Sequence, residues 1–153
     1  MVLVITIRRS NDNDIPQLEK LFLITRQQTF VEENPNKFTL EDFKKTTVGE
    51  LIFVAEDQDG KILGFISIWE EDKFIHHLFV TPGHQRKGIG GLLIRSLLPW
   101  LPLPYRLKCV AKNKEALAFY QKTGWIEVER GIGEDGEYFL LELAEAPKKE
   151  DDQ

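Results

Sequence analysis

A chain of 153 residues with 42% hydrophobic and 29% charged residues is sized and composed for one domain around a single core. Its net charge of −5 argues against a duplex nucleic-acid partner, and no run approaches the roughly 18 apolar residues that span a bilayer. The lone cysteine, Cys109, excludes an intrachain disulfide, suits a reducing cytoplasm and reads as a core residue.

The first residues are apolar but lack a basic lead and stop at Arg8-Arg9, unlike a signal peptide; residues 2–8 read as an opening strand. Asn11, Asp12, Asn13 and Asp14, followed by Pro16, mark a helix start, with Ile15, Leu18, Leu21, Phe22 and Thr25 at helical spacing behind them. Asn34-Pro35-Asn36 breaks the chain, and Thr39 is placed to cap a short helix over residues 40–45. Residues 51–55 and 62–69 are β-type runs joined through Asp59-Gly60, and the acidic turn Glu70-Glu71-Asp72 leads to a third strand over 74–80. A helix over 88–98 follows, with Leu92, Leu93, Leu97 and Leu101 at its spacing and Ile89 and Trp100 on or near that stripe. Pro99, Pro102 and Pro104 end it. A strand over 105–110, a helix capped by Asn113 and closed by Gly124, and a hairpin over 125–130 and 137–142 complete the domain. Residues 1–144 thus read as one domain with a mixed α/β sheet flanked by helices. The polar tail 145–153 reads as disordered.

The most informative stretch lies between the third strand and the helix after it. Gln85-Arg86-Lys87-Gly88-Ile89-Gly90-Gly91 sets two cations beside three glycines at a helix start. Helix-initial N–H groups without partners favour an anion, and glycine lets a phosphate come close to the backbone. Gly83 and Gly88 have P-loop spacing, but Ile89-Gly90 stands where Lys-Ser/Thr would help hold Mg²⁺, which disfavours a mononucleotide-binding domain. A formal GxGxxG at Gly131, Gly133 and Gly136 runs into the strand-like Tyr138-Phe139-Leu140-Leu141, so it reads as hairpin punctuation.

Two motifs in order then narrow the family. Gln85-x-x-Gly88-x-Gly90 follows a strand that ends in an apolar triplet. Further on come Asn113, Ala116, Ala118-Phe119-Tyr120 and Gly124-Trp125. Together they resemble the GNAT family of N-acetyltransferases, over roughly residues 51–142. The resemblance implies a mostly antiparallel central sheet flanked by helices, acetyl-CoA as co-substrate, direct acetyl transfer to an amine acceptor, and no metal. It places the pantetheine arm along Leu78, Phe79 and Val80, with the Phe79 N–H polarising the thioester carbonyl. The diphosphate would lie over Arg86, Lys87, Gly88, Ile89, Gly90 and Gly91, with Asn113 near the pantetheine arm.

Tyr120 lies seven residues beyond Asn113, two turns down the same helix. A phenol is a feasible acid for the departing thiolate. His76 and His77, neighbours on a strand, are expected on opposite faces. His76, twelve residues before Gly88, matches the histidine that some family members use as base, which leaves His77 structural and His84 at the surface. Lys108 occupies the position at which certain protein N-terminal acetyltransferases carry a glutamate. Glu32, Glu33, Glu70, Glu71 and Asp72 fall in segments that border the family's acceptor cleft, where they could attract a cationic amine. A CoA-binding sensor or assembly module without catalysis is the alternative, against which Tyr120 argues. The acceptor's identity and the oligomeric state, a homodimer included, stay open at this point.

Overall fold

Polar residues at 11–14 start the first helix from two sides. In the computed structural model, which describes residues 3–147, Asn11 Oδ1 accepts from the Asn13 N–H at 2.9 Å and Asp14 Oδ2 accepts from the Asn11 N–H at 2.8 Å. This capping box forms a 3₁₀ turn, Asp12–Asp14, that runs into α1, Ile15–Thr29. Arg8 grips the same Asp14 through two nitrogens, at 2.8 and 2.9 Å, and reaches Glu56 at 3.0 Å. The guanidinium holds the Asp14 carboxyl below its usual range, against the opposing effect of burial. Helix α1 is thereby tied to β1, Thr6–Arg9, and β2, Leu51–Glu56.

The second helix, α2, Asp42–Thr46, begins later than residue 40. Thr39 does not cap it. Its hydroxyl and its N–H both bind the Asp42 carboxylate, at 3.0 and 2.9 Å, so the cap runs backward from Asp42. Strands β3, Ile62–Trp69, and β4, Phe74–Val80, fill the ranges read from their apolar runs, and Glu70–Asp72 forms an exposed 3₁₀ turn between them. Helix α3, Ile89–Arg95, is shorter than the periodicity suggests. Ile89, Leu93, Leu97 and Leu101 are buried as expected, whereas Leu92 and Trp100 are exposed.

β5, Tyr105–Val110, and α4, Lys114–Lys122, follow the expected plan, with Asn113 Oδ1 accepting from the Ala116 N–H at 3.2 Å. The last hairpin, β6, Ile126–Gly133, and β7, Gly136–Leu143, is longer than predicted because pairing continues through its glycines to Gly133 and Gly136. The GxGxxG pattern is hairpin, as its sequence context indicates. Of the tail, Glu145 and Ala146 are exposed, while Pro147 is buried and accepts a hydrogen bond from Arg95 Nη2 at 3.3 Å. Residues 148–153, and Val2 of the expected first strand, lie outside the described residues.

The sheet order is β1-β2-β3-β4-β5-β7-β6, antiparallel throughout except at β4–β5. One face packs on α3 and α4 around Leu63, Ile66, Ile89, Leu93 and Leu97, and the other packs on α1 and α2 around Phe22, Phe43, Val54 and Phe65. Cys109 is 4% exposed, a core thiol pushed up by burial to about 11. No helix among the described residues is long and apolar enough to cross a membrane.

Candidate active site

The parallel pair at the centre of the sheet is brief. β4 and β5 are in register only at Phe74–Arg106 and Ile75–Leu107, with Arg106 N–H donating to the Lys73 carbonyl at 3.2 Å. Beyond Ile75 the two strands part, while β5 stays paired with β7 as far as Val110–Tyr138. The far half of β4 therefore presents a backbone edge to a gap in the sheet.

Strand parity decides which groups line that gap. Thr81 N–H donates to the Leu63 carbonyl at 2.8 Å, and Phe79 pairs with Phe65 two residues earlier. Alternation along an antiparallel pair then turns the Phe79 N–H toward β3 and the N–H groups of Leu78 and Val80 toward the gap. This corrects the expectation for Phe79: its N–H belongs to the sheet, and the N–H groups left toward the gap are those of Leu78 and Val80. The Phe79 ring lies on the α1 face, 5.3 Å from the Phe22 ring.

The turn after β4 carries the expected anion-binding features. Gln85 Nε2 donates to the Val80 carbonyl at 3.0 Å, pinning the turn to the strand end. Gly83, Arg86 and Gly88 all have positive φ, at 93°, 67° and 81°. Left-handed residues in such a turn direct successive N–H groups into one concavity. A Cβ built at Gly88 would meet nothing within 4 Å, so that side of the turn is open. Gly90 is glycine for a different reason. A Cβ there would stand 3.3 Å from Phe119 Cζ and 3.9 Å from Leu78 Cδ2, where α3, α4 and β4 converge. Arg86 and Lys87 are exposed, Arg86 3.8 Å from Glu115 on α4. His84 is not a surface residue as expected; it is half-buried and its Nδ1 is shielded from solvent.

On α4, which follows β5, Tyr120 is buried at 8% exposure, with its ring 5.3 Å from Phe119 and 5.6 Å from Trp125. Burial, and secondarily Cys109, raises the phenol well above its usual pKa. The group stays protonated at any working pH. Full proton transfer to a thiolate is uphill, because even the reference values differ by about 1.5 units in that sense. A buried phenol that keeps its proton can donate a hydrogen bond but is a poor source of a fully transferred proton, which bears on the expectation of Tyr120 as an acid.

The histidines depart most from expectation. The β3–β4 register slips between Ser67–His77 and Ile68–Ile75, leaving His76 as the extra residue of a β-bulge. The bulge cancels the alternation that would separate the two rings. They stack instead, with centroids 4.0 Å apart and planes 24° apart. His77 is packed among Phe22, Phe65 and Phe79, with its Nε2 shielded from solvent and unpartnered. Burial, then the neighbouring His76 and Arg26, lowers its imidazole to about 3.

His76 keeps an exposed edge and points Nδ1 at Glu50 Oε2, 2.6 Å away. The other Glu50 oxygen accepts from Ser67 Oγ at 2.8 Å, and the Glu50 side chain is only 7% exposed. A carboxylate can only accept, so Nδ1 of His76 carries a proton, and in the neutral imidazole Nε2 is the acceptor. Glu50 was not identified from sequence. It precedes β2 in an ordinary Gly-Glu-Leu context, and only the β2–β3–β4 register brings it to a histidine 26 positions away.

The other acidic residues divide. Glu32 and Glu33 line a small recess with Thr29, Phe30, Lys112 and Asn113. Glu33 is already engaged by Lys37 at 2.9 Å and by Lys112 at 3.9 Å. Glu70, Glu71 and Asp72 remain on the exposed turn. Lys108 lies with its ammonium 4.8 Å from the Tyr138 ring.

Comparison with known proteins bears on the family and the fold. The acetyltransferase (GNAT) family model matches residues 16–125. The peptidyl-lysine N-acetyltransferase YiaC of Escherichia coli K12 is 29% identical over 121 residues, covering 78% of this chain and 82% of that protein. Apo YjaB of Escherichia coli superposes with a TM-score of 0.75 at 22% identity, over 91% of this chain and 97% of that one. The PaiA N-acetyltransferase of Thermoplasma acidophilum, solved with coenzyme A, superposes with a TM-score of 0.73 at 18% identity, over 93% of this chain and 99% of that one.

Proposed function

The chain belongs to the GNAT acetyltransferase family and is an N-acetyltransferase, and from that premise we propose how its residues divide the work. The observation that carries the reading is the gap between β4 and β5, with Leu78, Val80 and the glycine turn on the β4 side and, following β5, Asn113 and α4, which carries Tyr120. The pantetheine arm of acetyl-CoA lies along the free edge of β4, and its diphosphate sits over residues 86–91, where left-handed backbone and two cations meet it. The Leu78 N–H polarises the thioester carbonyl.

His76 Nε2 takes the proton from the acceptor's nitrogen as that nitrogen attacks the thioester carbon. Glu50, held by Ser67, fixes the imidazole tautomer and accepts from Nδ1. The carbon–sulfur bond then breaks, and the phenol of Tyr120 donates a hydrogen bond to the departing thiolate. The acceptor is a primary amine, with a lysine side chain in a peptide favoured by the likeness to YiaC. A single buried cysteine supports a cytoplasmic setting.

The test is release of free coenzyme A thiol from acetyl-CoA across a panel of lysine peptides, polyamines and amino acids. At least one primary amine should be turned over, and neither His76→Gln nor Glu50→Gln should disturb acetyl-CoA binding. His76→Gln should lower turnover about 10²–10⁴-fold and Glu50→Gln about 10–100-fold. Wild-type rates in both variants would place the base elsewhere.

A further inference from the structure

The bulge at His76 brings together two adjacent histidines that strand alternation would separate and a glutamate 26 positions away. Ligand atoms of Glu50, His76 and His77 all lie within 4.8 Å of one another. Two of them, His76 Nδ1 and Glu50 Oε2, are 2.6 Å apart. Their environment resembles the outer support of a metal site. Ser67, itself 0% exposed, orients the Glu50 carboxylate from behind. His77 is wedged among three phenylalanines, and its Nε2 has no hydrogen-bond partner.

We propose that Glu50, His76 and His77 form a binding site for a divalent transition-metal ion of the zinc type, which occupies the place of the His76 proton and blocks acetyl transfer. The block rests on the reading of His76 as the base; the metal site itself does not. Two imidazoles and one carboxylate suit Zn²⁺, Cu²⁺ or Ni²⁺, whereas Mg²⁺ and Ca²⁺ prefer oxygen ligands throughout. Ligand atoms around a tetrahedral zinc stand about 3.4 Å apart, so the longer separations must close by up to about 1.4 Å and the His76–Glu50 pair must open. The two rings are stacked, and His76, with its exposed edge, is the one that turns to close the site. Binding at Nδ1 moves the His76 proton to Nε2, which removes the lone pair the base needs, and takes up a lone pair of the unpartnered His77 imidazole. Three protein ligands leave the ion one open position, on the solvent side of His76.

The experiment titrates the full chain with Zn²⁺ by calorimetry and with Co²⁺ as a visible-absorption probe of ligand geometry. The expected result is a single ion per chain with a tetrahedral Co²⁺ band. His76→Gln and His77→Phe should each weaken binding by at least about 100-fold, and Ser67→Ala by about 10-fold. His84→Gln should bind like the wild type. No binding by the wild type, or binding that survives both histidine substitutions, overturns the proposal. Mg²⁺ binding with the same affinity as Zn²⁺ also overturns it. Zn²⁺ should further inhibit acetyl transfer in competition with the amine and not with acetyl-CoA. Site-specific binding that leaves turnover unchanged would uphold the metal site and remove His76 from the role of base.

Discussion

At the scale of single residues, the site turns on what burial does to groups of familiar chemistry. Tyr120 is named by its motif, but its protonation state comes from its surroundings: Trp125 and Phe119 exclude water, and the phenol keeps its proton. Tyr120→Phe removes only the hydroxyl, so the melting temperature and acetyl-CoA affinity should change little. Turnover should fall about 10²-fold or more, since hydrogen-bond stabilisation of the leaving sulfur is lost while packing is kept. Because the raised pKa lies beyond the working range, the wild type should show no falling limb from this group below pH 10, the reference value for a phenol. A Tyr120→Phe enzyme with normal turnover would make the tyrosine a core residue only. Glu50 teaches the opposite lesson. No local pattern singles it out, and its role exists only because Ser67 and His76 stand on adjacent strands beside it.

At the scale of elements, the legible parts are those with local punctuation. Residues 62–69, 74–80 and 105–110 were readable as strands because apolar runs end there at glycine, proline or acidic turns, and the observed bounds coincide. Asn113 was readable as a cap because capping is a contact across three residues. The bulge at His76 was not readable, because it is a mismatch between two strands and neither strand encodes it alone. Which β4 N–H groups face the gap was likewise legible only from the pairing of two strands. The turn over residues 83–91 is an intermediate case, since its glycines announce a special backbone without saying which of them is crowded. Gly88 has positive φ and open space around its missing Cβ, while Gly90 faces Phe119. Gly88→Val should therefore strain the backbone by about 1–2 kcal/mol and weaken acetyl-CoA binding at least about 10-fold. Gly90→Val should act mainly on stability, through the α3–α4 contact. Calorimetry with acetyl-CoA beside thermal melts separates the two, and unchanged affinity in Gly88→Val would remove the diphosphate from this turn.

At the scale of the whole molecule, the gap in the sheet and the bulge in β4 are one arrangement. The slip that lets His76 bulge out lies next to Ile75, the last β4 residue paired with β5, so the strand leaves its parallel neighbour where its own register changes. The arrangement buries an imidazole, with a consequence for stability across pH. His77 titrates near 3 in the folded chain, because burial and then the adjacent His76 and Arg26 disfavour its charge, whereas an unfolded histidine titrates near 6.5. Between those values the unfolded chain binds a proton that the folded chain refuses, so stability rises with pH there. His77's full contribution is present above 6.5 and declines as pH falls toward 3. From pH 6.5 to pH 5 the loss should be about 2 kcal/mol. Asp14 acts in a lower window: its folded pKa is depressed by Arg8, so its contribution is complete above its unfolded value near 3.9 and fades only below it. Denaturant unfolding at pH 7 and pH 5 isolates the histidine. His77→Phe fits the aromatic cluster of Phe22, Phe65 and Phe79 and should remove most of the slope between those two pH values, whatever its absolute stability. If His77→Phe loses as much stability on acidification as the wild type, another group carries the acid sensitivity.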